Sequence, residues 1–410
     1  MQHEMTRVTD YSRILLVSPC GFGGIQSFCI DLSEAFRNLG YGVHILFEQR
    51  GAESEPNPPV SSGVAAEILA ASPFDNYYHA LTRMADFIRG GGFDIVYPNT
   101  SSVTYRALGL LGPRRPVAIG GCHGNNEHDY ASTTEFAGYL DHIFSVSQIG
   151  ATVLRDRLSG RDLGITVIPH GVEPADILPG RSYSGKLRLV FAGRFDAGKR
   201  IRDIMLVTKG LRDLGVRFDI TLAGDGPERR ALEDVCSQLG LGDTVRLLGR
   251  ISREQVQRLM QESHINLLLS ESEGFGLSVR EGMKVGCVPI VTETCGCKDA
   301  IRDGVNGFVV KLGNVGAVAG LVRRLEQDRM LLARISEAAA RTVLEDYSAE
   351  KEVARHLELL RLAQEHHQRH AARTVPWRYE PPTLINSPWV PNWLARGLRR
   401  ARHRLAVPLP

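Results

Sequence analysis

The chain is expected to fold as two doubly wound α/β domains facing each other across a cleft. Three observations predict this. Short β-branched runs alternate with amphipathic stretches, the signature of parallel sheets covered by helices. The alternation lapses once, into Pro, Gly, Ser and Asp over 174–185, and then restarts. A length of 410 residues also exceeds what one ordinary core supports. In such sheets ligands bind beyond the carboxyl ends of the strands, so the cleft is the place to look for function.

The first domain is assigned to 1–173. RILLVS (13–18) reads as an uninterrupted buried strand, followed by PCGFGG and then IQSFCIDLSEAFRNLG. There Phe28, Leu32, Ala35, Phe36 and Leu39 recur at helical spacing, and Gly40 sits where a helix C-terminus wants it. VHILFE, FDIVYPN, VAIGGCH, HIFSVS and ITVIPHGV read as further strands. Residues 174–185 are the linker. The second domain, 186–347, runs LRLVFAGR, a helix over 201–214, RFDITLAGDG, a helix over 228–239, and TVRLLGR. A helix over 253–262, HINLLLS, a glycine-rich turn, a short helix and VPIVTE complete it. Residues 348–410 form a helix and a basic tail, expected to cross back to the first domain.

Composition narrows the function classes. A formal net charge of +3 is too small to argue for nucleic acid, so none is expected as a partner. The N-terminal MQHEMTRVTDYSR lacks the apolar core of an export signal, and no apolar run reaches the roughly 20 residues that span a membrane. Seven cysteines, an odd number, read as reduced thiols in a cytoplasmic protein. Cys295 and Cys297 are too close together for a zinc knuckle and have no second pair nearby, so no metal site is expected there. From 381 to 410 there is no acidic residue, while Arg396, Arg399, Arg400, Arg402 and Arg404 cluster near Trp389 and Trp393. Such a segment suits an anionic membrane surface, or packs on the first domain.

The chemistry is read from SESEGFGLSVREG (270–282). Gly274 and Gly276 stand between a strand and a helix starting near Leu277, so backbone N–H groups are available where a helix N-terminus receives phosphate. Glu273 alone would repel that phosphate. Arg194 and Lys199, in a turn after the second domain's first strand, supply the balancing charge, one as a fork and one as a point charge. The chain contains no D-x-D pair of the kind that holds Mg²⁺ or Mn²⁺ beside a nucleotide sugar, which fits a metal-free site.

SESEGFGLSVREGMKVGCVPIV resembles the E-x7-E segment of retaining glycosyltransferases with the GT-B fold, bacterial α-mannosyl-, glucosyl- and N-acetylglucosaminyltransferases among them. FAGRFDAGKR is similar to that family's G-R-x-x-x-x-K segment, LAGDGPERRALEDVCSQLGLGDTVRLLGR to its G-x-G-P passage, VIPHGVE to its P-N-G-V strand end and GFGGIQSF to its N-terminal glycine loop. The resemblance covers about 13–347 and implies two facing Rossmann-like domains. It implies that Glu281 holds the nucleotide ribose and that Glu273 lies beside the donor sugar. Arg194 and Lys199 would neutralise the departing diphosphate, while backbone at Gly274, Phe275, Gly276 and Leu277 holds sugar and phosphate. Backbone near Arg250 and Ile251 would meet the base, Gly23 and Gly24 would lie against the diphosphate and acceptor, and His123 would contact the donor sugar. The donor it implies is a nucleotide sugar, taken as UDP-linked, with no further cofactor. The acceptor is a glycan or lipid-linked glycan of surface polysaccharide synthesis.

The sequence departs from the family pattern in four places. Gly282 and Lys284 replace alanines after Glu281, Cys295 and Gly296 replace paired glycines, Asp299 replaces a glutamate and His170 an asparagine. These bear on which sugar and acceptor are used. An epimerase or phosphorylase of the same architecture, or a non-catalytic nucleotide-sugar-binding subunit, are the alternatives. GFGG lacks the third glycine a dinucleotide-binding dehydrogenase needs.

Overall fold

The computed structural model describes residues 12–19, 23–48, 63–69, 77–173, 182–370 and Leu394. Most of the linker and the whole basic arginine cluster therefore lie outside the described residues.

The first sheet contains β1 (Arg13–Pro19), β2 (Gly42–Glu48), β3 (Ala65–Leu69), β4 (Ile95–Tyr97), β5 (Val117–Cys122), β6 (His142–Ser145) and β7 (Gly164–Val167), in the order β3-β2-β1-β4-β5-β6-β7. The second contains β8 (Leu187–Ala192), β9 (Phe218–Ala223), β10 (Val245–Gly249), β11 (Ile265–Leu268), β12 (Val288–Thr292) and β13 (Phe308–Val310), ordered β10-β9-β8-β11-β12-β13. Every pairing among these strands is parallel. In each sheet the strand order reverses once, between β1 and β4 and between β8 and β11. The crevice of a doubly wound sheet opens at that point.

Helices α1 (Gly24–Asn38), α2 (Tyr77–Gly91), α3 (Ser102–Leu110), α4 (Glu127–Glu135) and α5 (Gln148–Arg157) belong to the first half. To the second belong α6 (Ile201–Asp213), α7 (Arg229–Gln238), α8 (Arg253–Glu262), α9 (Leu277–Lys284), α10 (Val315–Gln327), α11 (Arg329–Asp346) and α12 (Ala349–Arg369). The expected strands are present but shorter at their polar ends. FDIVYPN pairs only over Ile95–Tyr97, and VAIGGCH stops at Cys122, leaving Asn99 and His123 in loops. Two strands escaped the sequence reading. β3 is a mostly exposed edge strand with only one neighbour, and β13 is three residues long, so neither shows a buried apolar run.

The chain passes between the two halves twice, and the two passes are tied together. Val172 N–H donates to the Tyr347 carbonyl at 2.9 Å and Ala349 N–H to the Val172 carbonyl at 3.0 Å. Ser348 then caps α12, accepting from the Lys351 N–H. The helix packs across β5, β6, β7 and α1 of the first sheet. Asp141, fully buried under α12, accepts from Arg115 Nη2 at 2.8 Å and the Ala118 N–H at 2.9 Å and meets His367 Nδ1 at 3.0 Å. Burial opposes its charge, but Arg115, His366 and His367 hold the carboxyl well below the usual range.

This seam predicts acid lability. Burial lowers the His356 pKa, on α12, to about 4, and that of His142 beneath it to about 4. A histidine depressed in the folded state contributes stability that is complete above its unfolded value near 6.5. That stability is lost as pH falls toward the folded value, and His356 alone accounts for on the order of 3 kcal/mol. The raised pKa of His366, from its bond to Asp141, acts in the opposite direction: its contribution is complete at low pH and is lost as pH rises through the folded value. Thermal melts between pH 7 and 4 are expected to show a steep fall in Tm, and His356→Gln should flatten it. A profile unchanged by that substitution would contradict the assignment.

Candidate active site

The site is built at the carboxyl ends of β8 and β11, beside the second sheet's reversal point. The turn after β8 is shaped by Asp196, whose carboxylate accepts from the Lys199 N–H at 3.2 Å. Glu271 N–H donates to the Gly198 carbonyl at 2.8 Å, which joins this turn to the loop after β11. Lys199 Nζ consequently forms an ion pair with the Glu273 carboxylate, each side chain 21% exposed. Burial works to lower the Lys199 pKa, but the Glu273 charge outweighs it and the ammonium is held above its ordinary range. Arg194, on the same turn, is exposed and has no ion-pair partner among the described residues. The neighbouring Arg200 is taken up structurally, bonded to Asp203 at 2.7 Å and Glu271 at 3.0 Å.

Past Glu273 the chain turns through Gly274, Phe275 and Gly276. The Phe275 ring anchors the turn, buried against first-domain core residues and set 5.5 Å from Tyr347. Gly276, at φ 67, is in the left-handed region and starts α9 without a side-chain cap. The first-turn N–H groups from Leu277 onward are therefore free of any capping side chain, as an anion requires. One turn further on, Glu281 lies 3.6 Å from Arg253 Nε, and burial raises its carboxyl above the usual range despite Arg253. Arg253 also forks onto Asp31 of α1 at 3.1 and 3.2 Å, linking the two halves. Gly282, which replaces an alanine of the family pattern, has a packing cause: a Cβ there would stand 2.9 Å from Asn266 Nδ2 and 3.3 Å from Cys287 Cβ.

The first domain meets this loop directly. A Cβ on Gly24 would touch the Leu277 side chain at 3.0 Å, while Gly23 faces open space. Asn125 Nδ2 donates to the Glu273 carbonyl at 2.8 Å, and Ser272 Oγ donates to the Asn125 carbonyl at 2.9 Å. A Cβ on Gly274 would lie 1.8 Å from the His123 carbonyl oxygen, so only glycine permits this approach. The polar run 124–129 is thus an interdomain strut with Asn126 capping α4. Arg250 and Ile251 follow β10, the former exposed and the latter packed beside Val190 and Ala192 ahead of the capping box of α8. Asp299 accepts from the Gln148 N–H at 2.7 Å.

Sequence reasoning missed Asn99, Arg253 and Arg280. Arg280, next to Glu281, is fully buried, donates to the Gly171 carbonyl at 3.0 Å and stands 4.8 Å from the Phe275 ring centroid. These three act through partners 24 to 222 positions away, and no local signal reports that. One group of side chains has metal-ligand spacing among the described residues, Asp162, His366 and His370. It lies at the amino end of β7, far from the cleft, and both His366 ring nitrogens are engaged, with the Asp162 carbonyl and with Asp141.

Two facing doubly wound sheets, with cations, a bare helix tip and paired acids between them, define the GT-B class of two-domain transferases. A family model described as "Glycosyltransferase Family 4" matches residues 22–176, and one described as "Glycosyl transferases group 1" matches 176–342. The chain is 25% identical over 353 residues to a phosphatidyl-myo-inositol mannosyltransferase of Mycobacterium leprae, covering 81% of this chain and 92% of that one. It is 31% identical over 182 residues to an N-acetyl-alpha-D-glucosaminyl L-malate synthase of Bacillus anthracis, where the match spans 43% of this chain and 45% of the relative. Its backbone superposes on S. aureus TarM, crystallised as a variant with fondaparinux, alpha-GlcNAc-glycerol and UDP, with a TM-score of 0.73 at 12% identity over 86% of this chain and 99% of that one. The chain belongs to the GT-B glycosyltransferases.

Proposed function

We propose that the chain is a retaining, metal-independent glycosyltransferase. It moves a hexose or N-acetylhexosamine from a UDP-linked sugar to a glycan or glycolipid acceptor in surface polysaccharide synthesis. The observation that carries this reading is the Lys199–Glu273 ion pair, just ahead of the start of α9, whose first turn has no side-chain cap. Arg194 and Lys199 receive the diphosphate as the bond from its oxygen to the sugar C1 breaks. Glu273 stabilises positive charge developing on the sugar ring. The acceptor hydroxyl attacks C1 from the face the diphosphate leaves, and its proton passes to a diphosphate oxygen, giving the glycoside and UDP. Glu281, beside Arg253, accepts hydrogen bonds from the ribose hydroxyls.

UDP is proposed because the S. aureus neighbour was crystallised with it, and a glycolipid acceptor because the mycobacterial relative is named for a phosphoinositide. No described helix is long and apolar enough to cross a membrane. We assign contact with an anionic inner membrane face to the segment 396–404, which carries five arginines and no acidic residue. Binding to vesicles containing anionic lipid should be lost when 381–410 is deleted, and unchanged binding would remove this assignment.

The functional test is release of nucleoside diphosphate from a panel of nucleotide sugars with glycan and lipid acceptors. UDP-sugars are expected to support turnover, and silence across the panel would contradict the reading. Because charged side chains and a helix tip perform the metal's usual task, EDTA should leave the rate within about twofold. Full inactivation reversed by Mn²⁺ would overturn the metal-free mechanism.

A further inference from the structure

Asn99, in the loop after β4, is fully buried at φ 44, a left-handed conformation that asparagine tolerates better than most side chains. Its amide orientation follows from its partners. One end lies 2.9 Å from the Val17 carbonyl and 3.3 Å from Cys29 Sγ. A carbonyl oxygen only accepts, so that end is the NH2 group. The amide oxygen therefore faces His123 Nε2, 2.9 Å away, and because it too only accepts, Nε2 carries the proton. Gly121 on β5 leaves the space for this bond, since a Cβ there would stand 2.7 Å from both Asn99 Oδ1 and His123 Nε2.

The other ring nitrogen, Nδ1, is buried and has no hydrogen-bond partner among the described residues. The imidazole is stacked on His170 at 5.6 Å and lies edge-on to Phe28 at 4.9 Å and Phe144 at 5.2 Å. Burial, then the nearby His170 and His356, push its pKa well below the ordinary value, so the ring is neutral. A neutral imidazole protonated at Nε2 has a bare lone pair at Nδ1. A buried acceptor without a donor marks a place for a ligand group. The residue's own carbonyl abuts Gly274, next to Glu273, which sets it at the sugar end of the site.

We propose that Asn99 is a positioning residue that locks His123 in its Nε2–H tautomer, so that Nδ1 accepts a hydrogen bond from a hydroxyl of the donor sugar. The sugar in this statement rests on the proposed function, but the tautomer does not. The test is a long-range proton–nitrogen correlation spectrum of the full chain with ¹⁵N-labelled histidine, His123 being assigned through His123→Gln. Wild type should show His123 as a neutral ring, protonated at Nε2 only, from pH 8 down to 5. Adding UDP-glucose or UDP-N-acetylglucosamine should shift the Nδ1 resonance, and UDP alone should not. Asn99→Gly, which suits the backbone but removes the amide, and Gly121→Ala, which displaces the bond, should each give a mixture of tautomers. Asn99→Asp should favour the doubly protonated ring, adding an acid limb to the pH–rate profile and lowering kcat at neutral pH about tenfold or more. An Nδ1–H ring or an imidazolium in wild type at pH 7 would overturn the lock. A shift caused equally by UDP alone would overturn the sugar contact. A correct tautomer in a protein that turns over no UDP-sugar would count against the proposed function and leave the lock standing.

Discussion

Replacing Lys199 with alanine is expected to lower kcat/KM by roughly 10²–10³-fold while moving Tm by only a few degrees. In the proposed mechanism Lys199 faces the charge that develops on the leaving diphosphate, and its removal also leaves Glu273 without its ion-pair partner. The two effects separate in the kinetics. A group that acts on the leaving group depresses kcat, whereas one that holds only the ground state raises KM. Lys199→Arg should recover part of the rate, since charge is kept but the compact ammonium is replaced by a larger fork. The stability effect stays small because both side chains are partly exposed, and pairs of that kind contribute about 1 kcal/mol or less. Steady-state kinetics and a thermal melt on the same preparation decide the matter. A variant that keeps the wild-type rate, or one that is largely unfolded, contradicts the role given to Lys199.

Gly274→Ala is expected to be nearly as damaging, for a reason of space instead of charge. The added methyl would stand 1.8 Å from the His123 carbonyl oxygen, 2.8 Å from its carbon and 3.2 Å from the Gly124 Cα. All three are backbone atoms, so no side-chain rotation relieves the overlap. Either the two halves part or the loop that carries Glu273 shifts. A displacement of about 1 Å at a reacting centre costs on the order of 10²-fold in rate. Small-angle scattering should show a larger radius of gyration in the variant if the halves part. A crystal structure would show the moved loop if they do not. Wild-type activity with unchanged dimensions would mean that the close approach is not part of the working enzyme.

Much of the second domain was legible in the sequence because its signals are local. β8 and β11 are mostly apolar runs, the glycines and carboxylates of the loop lie within 273–281, and Arg194 and Lys199 sit on one turn. What the sequence hid depends on contacts between distant positions. Nothing near Lys199 says that its ammonium would pair with Glu273, 74 positions on. The polar run 124–129 looks like any solvated turn until Asn125 is seen bonded to the Glu273 carbonyl. Asn99 reads as the end of a strand, and its left-handed backbone and its hold on His123 come from burial beneath β1 and β5. Departures from the family pattern are clearer for the same reason. Gly282 answers to Asn266 and Cys287, and His170 to Glu352 on α12 at 3.1 Å.

One anion site, formed by Arg194, Lys199 and the start of α9, is proposed to hold a nucleoside diphosphate whose ribose rests on Glu281. The most direct measurement is a crystal structure of the full chain with UDP. The account predicts diphosphate oxygens within hydrogen-bond distance of both basic side chains and of backbone N–H groups at 275–277, with ribose hydroxyls on Glu281. A nucleotide bound elsewhere, or with its phosphates turned away from Lys199, would contradict it.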